Sequence, residues 1–193
     1  MAGQLVVLSG PPNAGKSATA KALCERYDRM LHIEVGVLRD FLRMGRLRPW
    51  DRSPDGMRQH ALLVSAACDM ARRFLQAGYG VIIEDIVTED DLPVYAGALG
   101  DVSASADAGS LEPASASAHF VVILPALDVL LERERSRPTE WRLGGRLQAL
   151  HARFSAWRDV FVLDPGDLAP DLVADRVMAQ AAAGTASLAA AAS

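Results

Sequence analysis

Five apolar segments alternating with helical ones predict an α/β fold, a five-stranded parallel sheet with helices on both faces. The apolar segments are continuous runs rather than in–out alternations, as strands covered on both sides require. A glycine-rich turn, Gly10 to Lys16, sits between the first strand and the first helix. In sheets of this kind ligands bind at the carboxyl ends of the strands, so the residues just after each strand are the first candidates for function.

The elements follow in order. Gln4 to Ser9 (QLVVLS) is an apolar, β-branched run stopped by Gly10, Pro11 and Pro12, and reads as a buried strand. Lys16 to Tyr27 carries Ala20, Leu23, Cys24 and Tyr27 at helical spacing. Leu31 to Val35 is a second short strand, and Val37 to Met44 a short helix closed by Gly45. Arg46 to Gly56, with two prolines and Trp50, reads as a loop. Met57 to Gln76 is amphipathic, with Leu63, Ala67, Met70 and Phe74 placed on one face and Gly78 closing the end. Gly80 to Asp85 is a third strand, apolar until it meets two acids. Asp101 to Ala118 is almost wholly Ala, Ser, Gly and Asp, and is expected to be a flexible insertion. His119 to Leu124 is the fourth strand, Leu127 to Arg135 a helix, and Ser136 to Gly145 an arginine-bearing loop. Leu147 to Arg158 is helical, Val160 to Leu163 the fifth strand, and Leu172 to Ala183 the last helix. The alanine-rich end, 184–193, is expected to fray, leaving 1–183 as one domain.

Composition narrows the function classes. The chain has 193 residues, the length of one domain. With 20 basic against 24 acidic residues its net charge is −4, which argues against a general polyanion-binding surface. All the basic residues except Lys16 and Lys21 are arginine, so a lysine kept at position 16 is informative. Cys24 and Cys68 have no CxxC spacing and read as small buried hydrophobes. His32, His60, His119 and His151 are scattered without metal-ligand spacing. No signal-peptide pattern or long apolar span is read, so the expected location is the cytoplasm.

Gly10-Pro11-Pro12-Asn13-Ala14-Gly15-Lys16-Ser17 fits the spacing GxxxxGK followed by Ser or Thr, in its required place between strand and helix. Glycines there let backbone N–H groups converge on phosphate oxygens, while the helix N-terminus, where Ser17 and Ala18 also lie, adds partial positive charge. Lys16 reaches the β- and γ-phosphates, and the Ser17 hydroxyl is a Mg²⁺ ligand. The pattern predicts binding of ATP or another nucleoside triphosphate with Mg²⁺.

The chain resembles the P-loop kinases, and within them the chloramphenicol phosphotransferase-like family. The resemblance rests on GPPNAGKS, VGVLRDFL after strand two, GVIIEDIV at strand three, LPALDVLLERERSRP with its arginine-containing loop, and VFVLDPGDLAPDLVADRV. It implies a nucleotide-kinase-like fold with an arginine lid and transfer of a γ-phosphate to a hydroxyl of a small molecule, such as an antibiotic, a nucleoside or another metabolite. The family has a carboxylate pair at Glu84 and Asp85; one of them holds the Mg²⁺ shell or accepts the hydroxyl proton, with Asp85 preferred over Glu84. The aspartate that related kinases carry after strand two falls at Leu38, leaving Glu34 or Asp40 as substitutes. Arg39 and Arg43, four apart, are expected to share a helix face and hold the acceptor beside Trp50. Arg135 and Arg137 are the expected lid arginines, donating to the transferred phosphoryl group. Two alternatives stay open: a nucleotide-binding regulatory or ATPase module, and a polynucleotide 5′-hydroxyl kinase.

Overall fold

The computed structural model describes residues 4–99, 117–139 and 142–188. Its elements run β1 (Gln4–Ser9), α1 (Lys16–Cys24), β2 (Met30–Glu34), α2 (Val35–Asp40), α3 (Pro54–Gln76), β3 (Gly80–Glu84), α4 (Leu92–Leu99), β4 (Ser117–Ile123), α5 (Leu127–Arg135), α6 (Gly145–Ala156), β5 (Phe161–Leu163) and α7 (Pro170–Ala182). The strands form one sheet in the order β2-β3-β1-β4-β5, with all pairs parallel. This is the predicted architecture.

β1 lies in the middle, and its side chains alternate between two cores. Leu5 and Val7 enter the core built with α3 and α4, beside Val64, Ala67, Ile83 and Tyr95. Val6 and Leu8 enter the opposite core with α1, α5 and α7, beside Leu23, Leu130 and Val177. All four are fully buried, so a polar residue at any of them would leave an unpaired group between layers. Cys68 is buried in the first core and burial pushes its thiol up to about 12, which leaves it the inert hydrophobe its sequence context suggested.

α3 begins where its sequence directs. Ser53 caps it by accepting from the Gly56 N–H at 3.1 Å, and Pro54 occupies the first turn. Its buried stripe is Leu63, Val64, Ala67, Cys68, Ala71 and Leu75. Phe74, expected on that face, instead sits half exposed with its ring edge-on to Tyr79 at 5.2 Å.

Three further expectations are corrected. α4 falls in a stretch with no predicted element, and it brings Leu92, Tyr95 and Leu99 into the core. α2 ends at Asp40 rather than Met44, which leaves Arg43 beyond the helix. The chain does not fray at once after Gly184: Ala186 and Leu188 are buried, and the Phe120 N–H donates to the Ala186 carbonyl at 2.7 Å. β5 pairs only with Val121 to Ile123, so the first half of β4 needs another backbone partner, which residues 186–187 supply. The insertion placed at 101–118 lies outside the described residues up to 116, while Ser117 and Ala118 already belong to β4. Residues 189–193 of the expected tail also lie outside.

Candidate active site

The loop after β1 is shaped by close approach. At Gly10 (φ +132°) an added Cβ would lie 2.1 Å from the Ile123 carbonyl oxygen, so only glycine fits there. Asn13 (φ +68°) and Gly15 (φ +99°) take left-handed conformations, which turn the chain sharply into α1. No side chain caps the first turn of α1. Its N-terminal end is therefore open to an anion, as phosphate binding requires. Lys16 is buried, and its Nζ donates to the carbonyls of Gly10 at 3.1 Å and Pro11 at 3.0 Å. Burial lowers the Lys16 pKa, with the charges of Glu84, Asp85 and Glu34 pulling the other way.

Register brings the acids together. Glu34 and Glu84 are aligned on the neighbouring strands β2 and β3, at the carboxyl edge of the sheet. Glu84 Oε1 accepts from the Ser17 hydroxyl at 2.7 Å, and Oε2 meets His32 Nε2 at 3.0 Å. Burial alone would raise Glu84, but the hydrogen bonds from His32 and Ser17, with the Lys16 charge, hold it below the usual carboxylate value. Desolvation and the Glu84 charge raise Glu34. Asp85, the acid preferred from sequence, does not touch Ser17; its Oδ2 accepts from the buried Tyr95 hydroxyl at 2.7 Å. Burial and the Asp85 charge hold Tyr95 well above its ordinary value, so it remains a donor.

Two of the arginines at the end of α5 and just after it bond the loop. Arg133 Nη1 donates to the Asn13 carbonyl at 2.9 Å, and Arg137 Nη1 to Asn13 Oδ1 at 3.1 Å. Four residues apart, the two share one side of the helical turn. Arg135 does not line the cleft; its carbonyl accepts from Arg142 Nη2 at 2.6 Å. Arg133 thus occupies the place expected of Arg135.

A cleft of about 1510 Å³ runs from the loop after β1 past these acids to the segment after α2. Arg39, Asp40 and Trp50 line it, whereas Arg43 is exposed outside it because the helix stops short. Leu38 packs against the core and not into the cleft, so the carboxylates offered there from this segment are those of Glu34 and Asp40. Asp40 is ion-paired with Arg46. The lining also includes His60 and Asp91, which were not anticipated as site residues, and Arg146 from α6. Arg146 lies 4.9 Å from the Trp50 ring centre and Arg48 lies 5.6 Å from it, which ties the loop before α3 to α6.

The donor set suits Mg²⁺. This ion keeps most of its water and takes one or two hard oxygen ligands beside substrate phosphates. The exposed Ser17 hydroxyl and the Glu84 carboxylate bonded to it are oxygens of that kind. Among the described residues no cluster of three or more His, Cys, Asp or Glu forms an all-protein metal site.

Among solved structures the chain is similar to the tunicamycin resistance protein of Deinococcus radiodurans, with a TM-score of 0.66 and 19% identity over 92% of this chain and 94% of that one. It is also similar to a sugar kinase from Janibacter sp. HTCC2649 (TM-score 0.61, 14% identity, 95% and 98% covered). A third likeness is to shikimate kinase from Acinetobacter baumannii (TM-score 0.55, 13% identity, 93% of each chain). At these identities the likeness shows the fold, that of the P-loop kinases. No family profile matches the chain, and no curated protein matches it. Among the described residues no helix is long and apolar enough to cross a membrane.

Proposed function

We propose that the protein is a kinase that moves the γ-phosphate of ATP, or of another nucleoside triphosphate, onto a hydroxyl of a small molecule. The observation that carries this reading is one continuous cleft lined by the loop after β1, by Glu34 near Lys16 and Glu84, and by a second set of residues that includes Arg39, Arg46 and Trp50. A protein that only bound nucleotide would need no such second set.

In this reading the loop from Gly10 to Ala18 cradles the triphosphate, and Lys16 turns from the Gly10 and Pro11 carbonyls to the β- and γ-phosphates. Ser17 and Glu84 would hold Mg²⁺, and Asp85 at the same sheet edge would accept from the ion's water shell. When bound, the ion supplies positive charge to the phosphate oxygens. The acceptor oxygen attacks the γ-phosphorus as the bond to the β–γ bridging oxygen breaks, and the nucleoside diphosphate leaves. The hydroxyl proton passes to the Glu34 carboxylate, whose raised pKa suits it to receive one. Arg133 and Arg137 balance the charge on the transferring group.

Asp85→Asn tests the assignment of the acids. Turnover should fall by about 10²-fold, the scale of removing one charged or polar group that stabilises the transition state. Nucleotide affinity should change far less. Undiminished transfer in this variant would remove Asp85 from the reaction.

A further inference from the structure

The arginines in the acceptor half of the cleft differ in one respect. Arg46 is paired with Asp40, Arg52 with Asp91 at 3.5 Å, and Arg153 with Glu89 at 2.5 Å and Asp90 at 2.7 Å. All three are partly or largely exposed. Arg39 is only 7% exposed, yet among the described residues no carboxylate pairs with it. Its side-chain contact is Nη2 against His60 Nδ1, at 3.3 Å. That contact uses one of five N–H donors and brings no negative charge. A buried guanidinium without a counter-charge is costly in a folded protein, and the usual resolution is an anion supplied from elsewhere.

The surroundings point the same way. His60 Nε2 is buried without a hydrogen-bond partner, 3.7 Å from Asp91 Oδ1. Asp91 in turn is fixed by the Thr88 N–H at 3.1 Å and the Thr88 hydroxyl at 2.6 Å. Arg39 is therefore backed by a hydrogen-bonded chain of groups and lines a cleft to which Leu47, Trp50, Met57 and Val94 add apolar surface. We propose that the acceptor carries an anionic oxygen group, a carboxylate or a phosphate, alongside its hydroxyl, and that Arg39 receives it. This rests on the kinase reading of the same cleft.

The test is a calorimetric titration of the full chain with Mg²⁺ and a non-hydrolysable ATP analogue bound, so that the phosphate loop is already filled. The probes are benzoate, its neutral counterpart benzamide, and inorganic phosphate. At least one anion should bind while benzamide does not. Benzoate alone would assign a carboxylate, and inorganic phosphate alone a phosphate. Arg39→Gln should weaken the bound anion by about 30-fold or more, the scale of losing one charge-assisted contact. Arg39→Lys, which keeps the charge but not the fork, should recover part of the loss and carries the test if the glutamine variant does not fold. Binding of neither anion, equal binding of benzamide and benzoate, or undiminished binding in Arg39→Gln would overturn the proposal. Because the readout is binding, the two readings fail separately. Transfer only to neutral alcohols would keep the kinase and sink the anion site. Anion binding through Arg39 with transfer to no hydroxyl would do the reverse.

Discussion

The Tyr95 hydroxyl donates a 2.7 Å hydrogen bond to Asp85 Oδ2 from a helix wedged into the core. The bond fixes one carboxylate oxygen of Asp85, a residue that lines the cleft at the sheet edge. Tyr95→Phe removes only that donor. Turnover should fall about tenfold, the worth of one hydrogen bond to a charged group. Nucleotide affinity and the thermal midpoint should hardly move, since the ring stays packed. Unchanged turnover would show that Asp85 is positioned without Tyr95.

Glu34 sets an expectation in pH. Its pKa is raised above the ordinary value near 4.5 by desolvation and then by the Glu84 charge. A base works only when deprotonated, so activity should drop on acidification at a higher pH than an ordinary glutamate would give. Glu34→Gln should lower the rate and abolish that acidic limb. If the limb persists in the variant, it belongs to another group.

Asn13 joins loop and lid through Arg133 and Arg137. Asn13→Gly keeps the left-handed backbone and the carbonyl but removes the acceptor for Arg137. Turnover should drop about fivefold, matching a net hydrogen bond of roughly 1 kcal/mol. Asn13→Ala should show the same kinetic loss and an added stability cost of about 1 kcal/mol, because alanine resists φ near +68°. Kinetics equal to the parent in both variants would detach the lid from Asn13.

Lys16 should cost the resting protein stability. Burial depresses its pKa below the ordinary value near 10.5, so the unfolded state binds the proton more tightly. The charge therefore destabilises the fold below that value, and stability recovers as pH rises. Lys16→Met keeps the stem without the charge. Its thermal midpoint at neutral pH should match or exceed the parent's, with the gap closing toward alkaline pH. A lower midpoint at neutral pH would contradict this.

Much of the architecture was legible because it is local. The strands are unbroken apolar runs, and the loop from Gly10 to Ser17 carries its own spacing. α4 was missed because LPVYAGAL is short and interrupted by Pro93 and Gly97. A signal was nevertheless present: Thr88-Glu89-Asp90-Asp91 is a capping box, and the Thr88 N–H does bond Asp91. The lid pair was legible too, since the spacing of Arg133 and Arg137, unlike that of Arg135 and Arg137, places two side chains on one face. The contacts of Trp50 with Arg146, of His32 with Glu84 and of Arg39 with His60 join distant segments, and no single-chain periodicity encodes such meetings.

The central claim is phosphate transfer, and following labelled γ-phosphate from ATP into a panel of hydroxylated small molecules tests it most directly. ATP hydrolysis is measured in parallel, with Lys16→Ala as the matched variant. The expected result is a phosphorylated acceptor with the parent protein and none with Lys16→Ala, which loses several kcal/mol of transition-state stabilisation. No phosphorylated product from a broad panel, together with nucleotide-dependent affinity for a protein partner, would contradict the account and make the chain a nucleotide switch.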